Sequence, residues 1–187
     1  MTADDKATAN LVPFIDPRIK LAAAGDREAA QALLREILPR VRNLVRYLVR
    51  GDSEVEDMAQ QALLAVLRGL PTYRGDGKWL SWVDRITARE ALAYQKKKRQ
   101  AEKRHQDLQE DLSVLHDSNP AKADYFERRA LALRLDQLPQ EQRNAVVFHH
   151  VLGMSIPELA QHLSIPFDTA KSRVRLGMKK LRAQSNG

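Results

Sequence analysis

Residues 153–183 read GMSIPELAQHLSIPFDTAKSRVRLGMKKLRA, and this stretch decides the fold. Ser155-Ile156-Pro157-Glu158 has the spacing of a capping box. The Ser and Glu side chains can satisfy each other's free backbone N–H groups, and proline stands in the first turn, where a missing N–H costs nothing. Leu159, Ala160 and Leu163 then line one face of a short helix. Ile165-Pro166-Phe167 makes a turn. Asp168 offers an N-cap for a longer basic helix over Thr169–Ala183, with Ala170, Val174 and Leu181 inward. Short helix, tight turn, longer basic helix is the helix-turn-helix arrangement, whose second helix enters the DNA major groove by its N-terminal end.

Thr169, Lys171, Ser172, Arg173 and Arg175 occupy that end. Arg and Lys can contact guanine edges or phosphates, and Ser and Thr can serve phosphates. A basic terminal helix on an ordinary helical bundle would share the charge, but not the turn with its capping box.

Upstream, a helix is expected from Phe126 to Leu138 with Phe126, Ala130, Leu133 and Leu135 as its apolar positions. Leu138-Pro139 ends it, and Pro139-Gln140-Glu141-Gln142 opens another, carrying Ala145, Val146, Phe148, Val151 and Leu152 to Gly153. Residues 125–184 thus form one small helical domain.

A second helical domain is expected over residues 18–99. Arg18 to Ala24 forms a short lead-in helix, and Asp26 caps a helix in which Ala29, Leu33, Leu34, Ile37 and Leu38 recur at helical spacing. Pro39 interrupts this pattern without ending it, because Val41, Leu44, Val45 and Leu48 continue the stripe. Ser53 with Glu56 fits another capping box. Val55, Met58, Ala59, Ala62, Leu63, Val66, Leu67 and Leu70 make a wide apolar face up to Pro71. After a loop over Tyr73–Lys78 that holds two glycines, a last helix runs from Trp79 to about Arg99.

That last segment suggests chemistry. Tyr73, Trp79 and Trp82 lie in sequence beside Arg74, Lys78, Arg85 and Arg89. Aromatic rings stack on unpaired bases while basic side chains follow phosphates, so this mixture around a glycine loop suits single-stranded DNA. The tryptophans also fit a core role, Trp82 more than Trp79. Lys96-Lys97-Lys98-Arg99 prolongs the basic character of the helix and fits phosphate contact.

Charge agrees with this division. Residues 1–84 carry 12 basic and 12 acidic side chains, residues 85–104 carry 8 and 2, residues 105–127 carry 1 and 6, and residues 128–187 carry 10 and 4. Two basic bodies flank an acidic stretch that contains the breaker cluster Asp117-Ser118-Asn119-Pro120, so residues 100–124 read as a flexible acidic linker. The expected class is all-α, two small helical domains joined by that linker, since Ala, Leu, Arg, Gln and Glu dominate and aromatics are only 5% of the 187 residues. A net charge of +7 points to a polyanionic partner. With no cysteine, disulfides and thiolate zinc sites are excluded. No apolar run reaches the ~20 residues of a membrane span, and Met1–Asn10 lacks the apolar core of a signal peptide, so a cytoplasmic location is expected.

The chain resembles the extracytoplasmic-function group of the bacterial sigma-70 family. The resemblance lies in Gly25-Asp26-Arg27-Glu28-Ala29, Glu56-Asp57-Met58-Ala59-Gln60, Tyr73-Arg74 through Trp79, Trp82-Val83 and Ile86-Thr87-Ala88-Arg89. It continues in Leu138-Pro139-Gln140-Glu141-Gln142-Arg143, residues 153–160 and Thr169-Ala170-Lys171-Ser172-Arg173. Where the group usually has Glu after Gln60, this chain has Gln61, and Leu67 stands where Trp is common. Glu90 and Asp168 likewise replace the group's frequent Asn and Gly.

The resemblance implies roles. Glu56, Asp57, Gln60, Gln61 and Val66 would bind the clamp of core RNA polymerase. Tyr73, Arg74, Lys78, Trp79, Trp82, Arg85 and Arg89 would capture the unpaired strand of the −10 element. Thr169, Lys171, Ser172, Arg173 and Arg175 would read the −35 element from the polymerase flap. Core polymerase, promoter DNA and an anti-sigma factor are the partners implied.

Two other classes stand beside this reading. A stand-alone helix-turn-helix regulator explains the C-terminal half but not the acidic helix or the Trp-rich basic segment. An enzyme is not expected: Gly75-Asp76-Gly77 is too short for a phosphate loop, and His105, His116, His149, His150 and His162 form no metal-binding pattern. His149 and His150, being adjacent, should point to different sides of a helix. No catalytic residue, metal or cofactor is therefore assigned.

Overall fold

The computed structural model describes residues 16–104 and 122–184, and these are helical without strands. Helix α1 spans Pro17–Ala23, α2 Arg27–Leu48, α3 Val55–Gly69, α4 Trp79–Arg104, α5 Lys122–Asp136, α6 Gln140–Val146, α7 Ile156–Leu163 and α8 Phe167–Ala183. A 3₁₀ turn at Leu70–Thr72 follows α3, and a π turn at Val147–Val151 follows α6. Residues 100–104 of the expected linker continue α4, and residues 122–124 open α5. The acidic residues Asp107, Glu110, Asp111 and Asp117 lie outside the described residues.

Helices α2, α3 and α4 pack around one core. Ile37, Val41, Leu44 and Val45 of α2 meet Met58, Ala62 and Val66 of α3 and Val83, Ile86 and Ala91 of α4, all buried. The stripe of α2 passes Pro39 without a break, because Ile37 and Val41 are fixed on either side of it by burial. Asp26 caps α2 as expected, its Oδ1 accepting from Ala29 N at 2.9 Å. Arg40 forks onto the buried Asp84 of α4 at 2.7 and 2.6 Å, which fixes the rotation of α4 against α2. A smaller cluster of Ile19, Ala22, Ala29, Leu33 and Leu70 holds α1 and the 3₁₀ turn under the start of α2.

The expected capping box at Ser53 does not form. Glu54 holds the N-cap position of α3 without a side-chain bond, and the Glu56 carboxylate pairs instead with Arg42 of α2. A cross-helix guanidinium is a stronger partner for a carboxylate than a neutral amide.

Helices α5 to α8 share a core of Ala132, Leu135, Leu138, Ala145, Val146, Phe148, Leu159, Ala170, Val174 and Leu181. The buried stripe of α5 is therefore Ala132, Leu135 and Leu138. Phe126 and Leu133 are 63% and 50% exposed, and Ala130 is exposed too. Helix α8 crosses α6 closely at Gly177, where a Cβ would sit 2.6 Å from Val146 Cγ2 and 3.2 Å from the Gln142 carbonyl oxygen. Arg134 of α5 donates to the Leu181 carbonyl at 3.1 Å, satisfying the C-terminal end of α8.

The two groups of helices meet along a polar seam. The C-terminal end of α2 leaves carbonyls without helical partners, and donors from α6 take them. Arg143 Nε donates to Tyr47 O at 2.7 Å, and its Nη2 donates to Val49 O at 3.2 Å. Gln140 Nε2 donates to Leu48 O at 3.1 Å. The Arg143 guanidinium, 0% exposed, is also paired with Asp136, which in turn binds Arg46 at 2.6 Å. Burial pulls the Arg143 guanidinium down to about 10, against the opposing pull of Asp136, and it remains charged at neutral pH.

Candidate nucleic-acid interface

The helix-turn-helix is built from α7 and α8. Ser155 and Glu158 form the capping box: Ser155 N donates to Glu158 Oε2 at 2.8 Å, and Glu158 N donates to Ser155 Oγ at 3.4 Å. These bonds hold the Glu158 carboxyl below its ordinary range. The turn is made by Ser164, whose φ of +53° ends α7 in the left-handed region. Helix α8 starts two residues earlier than the expected Thr169. Pro166 takes the N-cap position, so Asp168 does not cap the helix but lies in its first turn, exposed, where its charge complements the helix dipole.

Of the five expected reader residues, Lys171 and Arg175 are exposed, while Thr169, Ser172 and Arg173 are half-buried. Ser172 Oγ donates to the Thr169 carbonyl at 3.0 Å, which leaves the oxygen's lone pairs for a donor. All five lie within the first three turns of α8. Phe167, 49% exposed, opens the same end of the helix. It was read as a turn residue, and an aromatic at the first helical position was its only signal.

The aromatic residues near the glycine loop form a cluster. Trp79 and Trp82 stack at 5.3 Å with an interplanar angle of 22°. Tyr73 meets Trp79 at 5.4 Å and Trp82 at 5.3 Å. All three are half-buried. Trp82 packs its six-membered ring on Gly69, where a Cβ would lie 3.2 Å from it, and this fits its core role. Trp79 keeps a buried indole N–H without a partner. Tyr73 Oη donates to the Gly77 carbonyl at 2.8 Å, closing the loop on itself. Burial and the nearby Asp76 push the Tyr73 hydroxyl upward, so it stays a neutral donor. Arg74 and Lys78 of this loop, and Arg85 and Arg89 of α4, are exposed around the cluster.

A separate exposed face runs along α3. Glu56, Asp57, Gln60 and Gln61 all lie at the surface. Val66, grouped with them by sequence, is in the core at 1% exposure, because it falls on the opposite side of the helix. Leu64, 43% exposed, takes the place on that face one turn beyond Gln60 and Gln61. Its exposure was not legible from an apolar face that looked continuous in sequence.

The histidines supply no site. Among the described residues no three His, Asp or Glu side chains come together as metal ligands. His149 Nδ1 lies 2.6 Å from the Met154 carbonyl, and His162 meets Phe148 edge-on at 5.2 Å. The rings of His149 and His150 do touch, with centroids 4.7 Å apart. They lie in the π turn, whose wider i→i+5 winding rotates successive side chains by less than an α-helix does. Among the described residues, no helix is long and apolar enough to cross a membrane.

Comparison with known proteins agrees with this geometry. Models of sigma-70 region 2 and of sigma-70, region 4, match residues 33–101 and 128–181. The chain is 30% identical over 164 residues to the RNA polymerase sigma factor CarQ of Myxococcus xanthus, covering 84% of this chain and 90% of that one. It is 32% identical over 150 residues to the ECF RNA polymerase sigma factor SigM of Mycobacterium tuberculosis, covering 80% and 74%. With the ECF RNA polymerase sigma factor SigE of Mycolicibacterium smegmatis it shares 30% identity over 167 residues, spanning 64% of that longer protein. Two solved structures share the fold. CnrH in complex with the cytosolic domain of CnrY has a TM-score of 0.55 at 20% identity, covering 91% of this chain and 96% of that one. The sigma factor RpoE in complex with the anti-sigma factor NepR from Bartonella quintana has a TM-score of 0.59 at 19% identity, covering 82% and 94%. By its sequence relatives and both region matches, the chain belongs to the sigma-70 family, in its extracytoplasmic-function (ECF) group.

Proposed function

We propose that this chain is an ECF-type sigma factor that binds core RNA polymerase and directs promoter-specific transcription initiation in the cytoplasm. The observation that carries the assignment is the presence, in one chain, of three separate exposed surfaces with different chemistry. These are the acidic and amide face of α3, the aromatic and basic cluster at the start of α4, and the basic N-terminal end of α8.

In this reading residues 18–99 form the polymerase- and −10-binding domain, and residues 125–184 form the −35 reader. Asp57, Gln60 and Gln61, with Glu56 and Leu64 beside them, present carboxylate, amide and apolar contacts to the clamp. Arg74, Lys78, Arg85 and Arg89 follow the phosphates of the opened strand while Trp79 and Tyr73 offer ring edges to its bases. Lys171, Arg173 and Arg175 engage the −35 duplex with Thr169 and Ser172. The chain supplies binding and strand capture, and bond formation belongs to the polymerase. An anti-sigma factor is a further partner, as it is for the similar RpoE.

Co-elution with bacterial core polymerase at moderate salt, followed by run-off transcription, tests the assignment. Binding that is lost in Asp57→Ala, together with promoter-dependent transcript from the unsubstituted chain, is expected. Tight duplex binding by the free protein with no binding to core would instead favour a stand-alone helix-turn-helix regulator.

A further inference from the structure

The seam between the two helical groups has a property that neither group needs for its own fold. The last carbonyls of α2 are capped by α6, not by their own chain neighbours. Tyr47 O and Val49 O accept from Arg143, and Leu48 O accepts from Gln140. Arg50 Nη2 returns a bond to the Leu138 carbonyl at 2.6 Å. Inside the seam Gln95 of α4 and Asn144 of α6 are both buried, and Asn144 Nδ2 donates to Gln95 Oε1 at 2.8 Å. Buried polar groups of this kind are costly when unpaired. The seam is thus a specific dock with matched donors and acceptors, not a sliding contact between loose units.

The dock also limits reach. Centres of elements named −10 and −35 lie about 25 base pairs apart, which is ~85 Å of duplex at ~3.4 Å per pair, and a duplex of that length is stiff. A compact body of about 150 residues is roughly 40 Å across. While α6 is seated on α2, the aromatic cluster of α4 and the N-terminal end of α8 therefore cannot occupy both elements together. Residues 105–121 could bridge up to ~60 Å when extended, so the chain is long enough for the groups to part. Two basic residues of the α4 run are engaged in this state as well: Arg99 pairs with Glu141 of α6 at 3.1 Å, and Lys98 pairs with Glu54 at 2.6 Å.

We propose that the structure is a closed, initiation-incompetent state, latched by the capping of α2's C-terminal carbonyls by Arg143 and Gln140, and that promoter engagement requires this latch to release. The proposal rests on the sigma-factor reading. The latch carries a built-in weakness: Arg143 Nη1 is buried without an acceptor, a group that regains hydrogen bonds to water when the seam opens. Closed and open states are then close enough in energy for core polymerase, which favours separated domains, to shift the balance.

The chain has no cysteine of its own, so a lock can be placed across the seam. Asp52 and Arg129 face each other at 3.5 Å from opposite groups and lie outside the polymerase and DNA surfaces. Asp52→Cys with Arg129→Cys, treated with a short bis-thiosulfonate cross-linker and freed of excess reagent, should link within one molecule. Unlinked, the double variant should initiate within about two-fold of the unsubstituted chain; linked, it should lose more than about ten-fold of promoter-dependent transcript. Reductant should restore it, and a flexible linker longer than ~80 Å should not inhibit. Full activity of the short-linked protein, or linkage only between molecules, would overturn the closed state. Failure of the unsubstituted chain to initiate with core would instead bring down the sigma-factor reading on which the proposal stands.

Discussion

Trp79 and Trp82 stack at 5.3 Å, with Tyr73 closing on both rings, so the aromatic side chains nearest the loop first support one another. A face covered by a neighbouring ring cannot also stack on a base, and only the exposed part of Trp79 is left for DNA. Trp79→Ala should then act twice. It removes an aromatic pair worth about 0.5–1.5 kcal/mol to the local fold and a base contact worth ~1–3 kcal/mol. Strand opening, read by permanganate reactivity of unpaired thymines, should fall about ten-fold or more while core binding persists. Trp79→Phe should recover part of it. Normal reactivity in a folded Trp79→Ala protein would reduce the residue to a packing role.

Gly177 is set by close approach. A methyl group there meets Val146 Cγ2 at 2.6 Å, and behind it the Gln142 backbone oxygen at 3.2 Å. The valine methyl can shift, but the carbonyl of α6 cannot without moving the helix. Gly177→Ala should destabilise the helix-turn-helix by about 1–3 kcal/mol, despite alanine's better helix propensity. Urea unfolding followed by circular dichroism measures this, and an unchanged midpoint would show that α6 and α8 can separate freely.

Much of this architecture was legible in the sequence where a local rule and burial agree. The stripe through Pro39 was readable because Ile37 and Val41 continue one face, and the Ser155–Glu158 box because both partners lie within one turn. The face of α5 was not. Its Ala-Leu-Ala-Leu run, residues 130–133, fits more than one register, and small Ala132 is the side chain buried at 1% exposure while larger Leu133 stays outside. The start of α3 was misread because Arg42 competes for the Glu56 carboxylate. Within the candidate surfaces, residue types and order were visible, but exposure was not: Val66 and Leu64 are both apolar, and only the packing separates them. The seam had no signal at all. Arg143 binds carbonyls 94 and 96 residues away, and backbone acceptors carry no side-chain identity.

His162 gives the C-terminal helices a pH dependence. Burial beside Phe148 and the approach of Arg85 from α4 both lower its basicity in the folded state. A histidine with a lowered folded-state value binds fewer protons folded than unfolded as the medium acidifies. Stability is therefore full above the unfolded value near 6.5 and falls as pH drops below it. Burial, with His149 and Arg182 nearby, lowers His150 in the same direction. The urea midpoint should decline between about pH 7 and pH 5, and His162→Gln should flatten part of that decline. An equal slope in the variant would move the effect to His150 or to the carboxylates.

Arg173 and Arg175 separate base reading from phosphate binding. Arg173 is half-buried on α8, two residues beyond Lys171, and its stem is held by the surrounding packing, whereas Arg175 is exposed. A guanidinium with a restrained stem loses less freedom on making a bidentate contact to a guanine edge. Arg173→Ala should cost about 1–3 kcal/mol on the preferred −35 sequence and relax the choice of base at one position. Arg175→Ala should weaken every duplex alike and reduce the salt slope by about one. Competition binding of holoenzyme to a set of −35 variants across a salt series distinguishes them. If Arg173→Ala lowers affinity uniformly and leaves the ranking of sequences intact, it too contacts only phosphate, and base reading passes to Lys171 or Ser172.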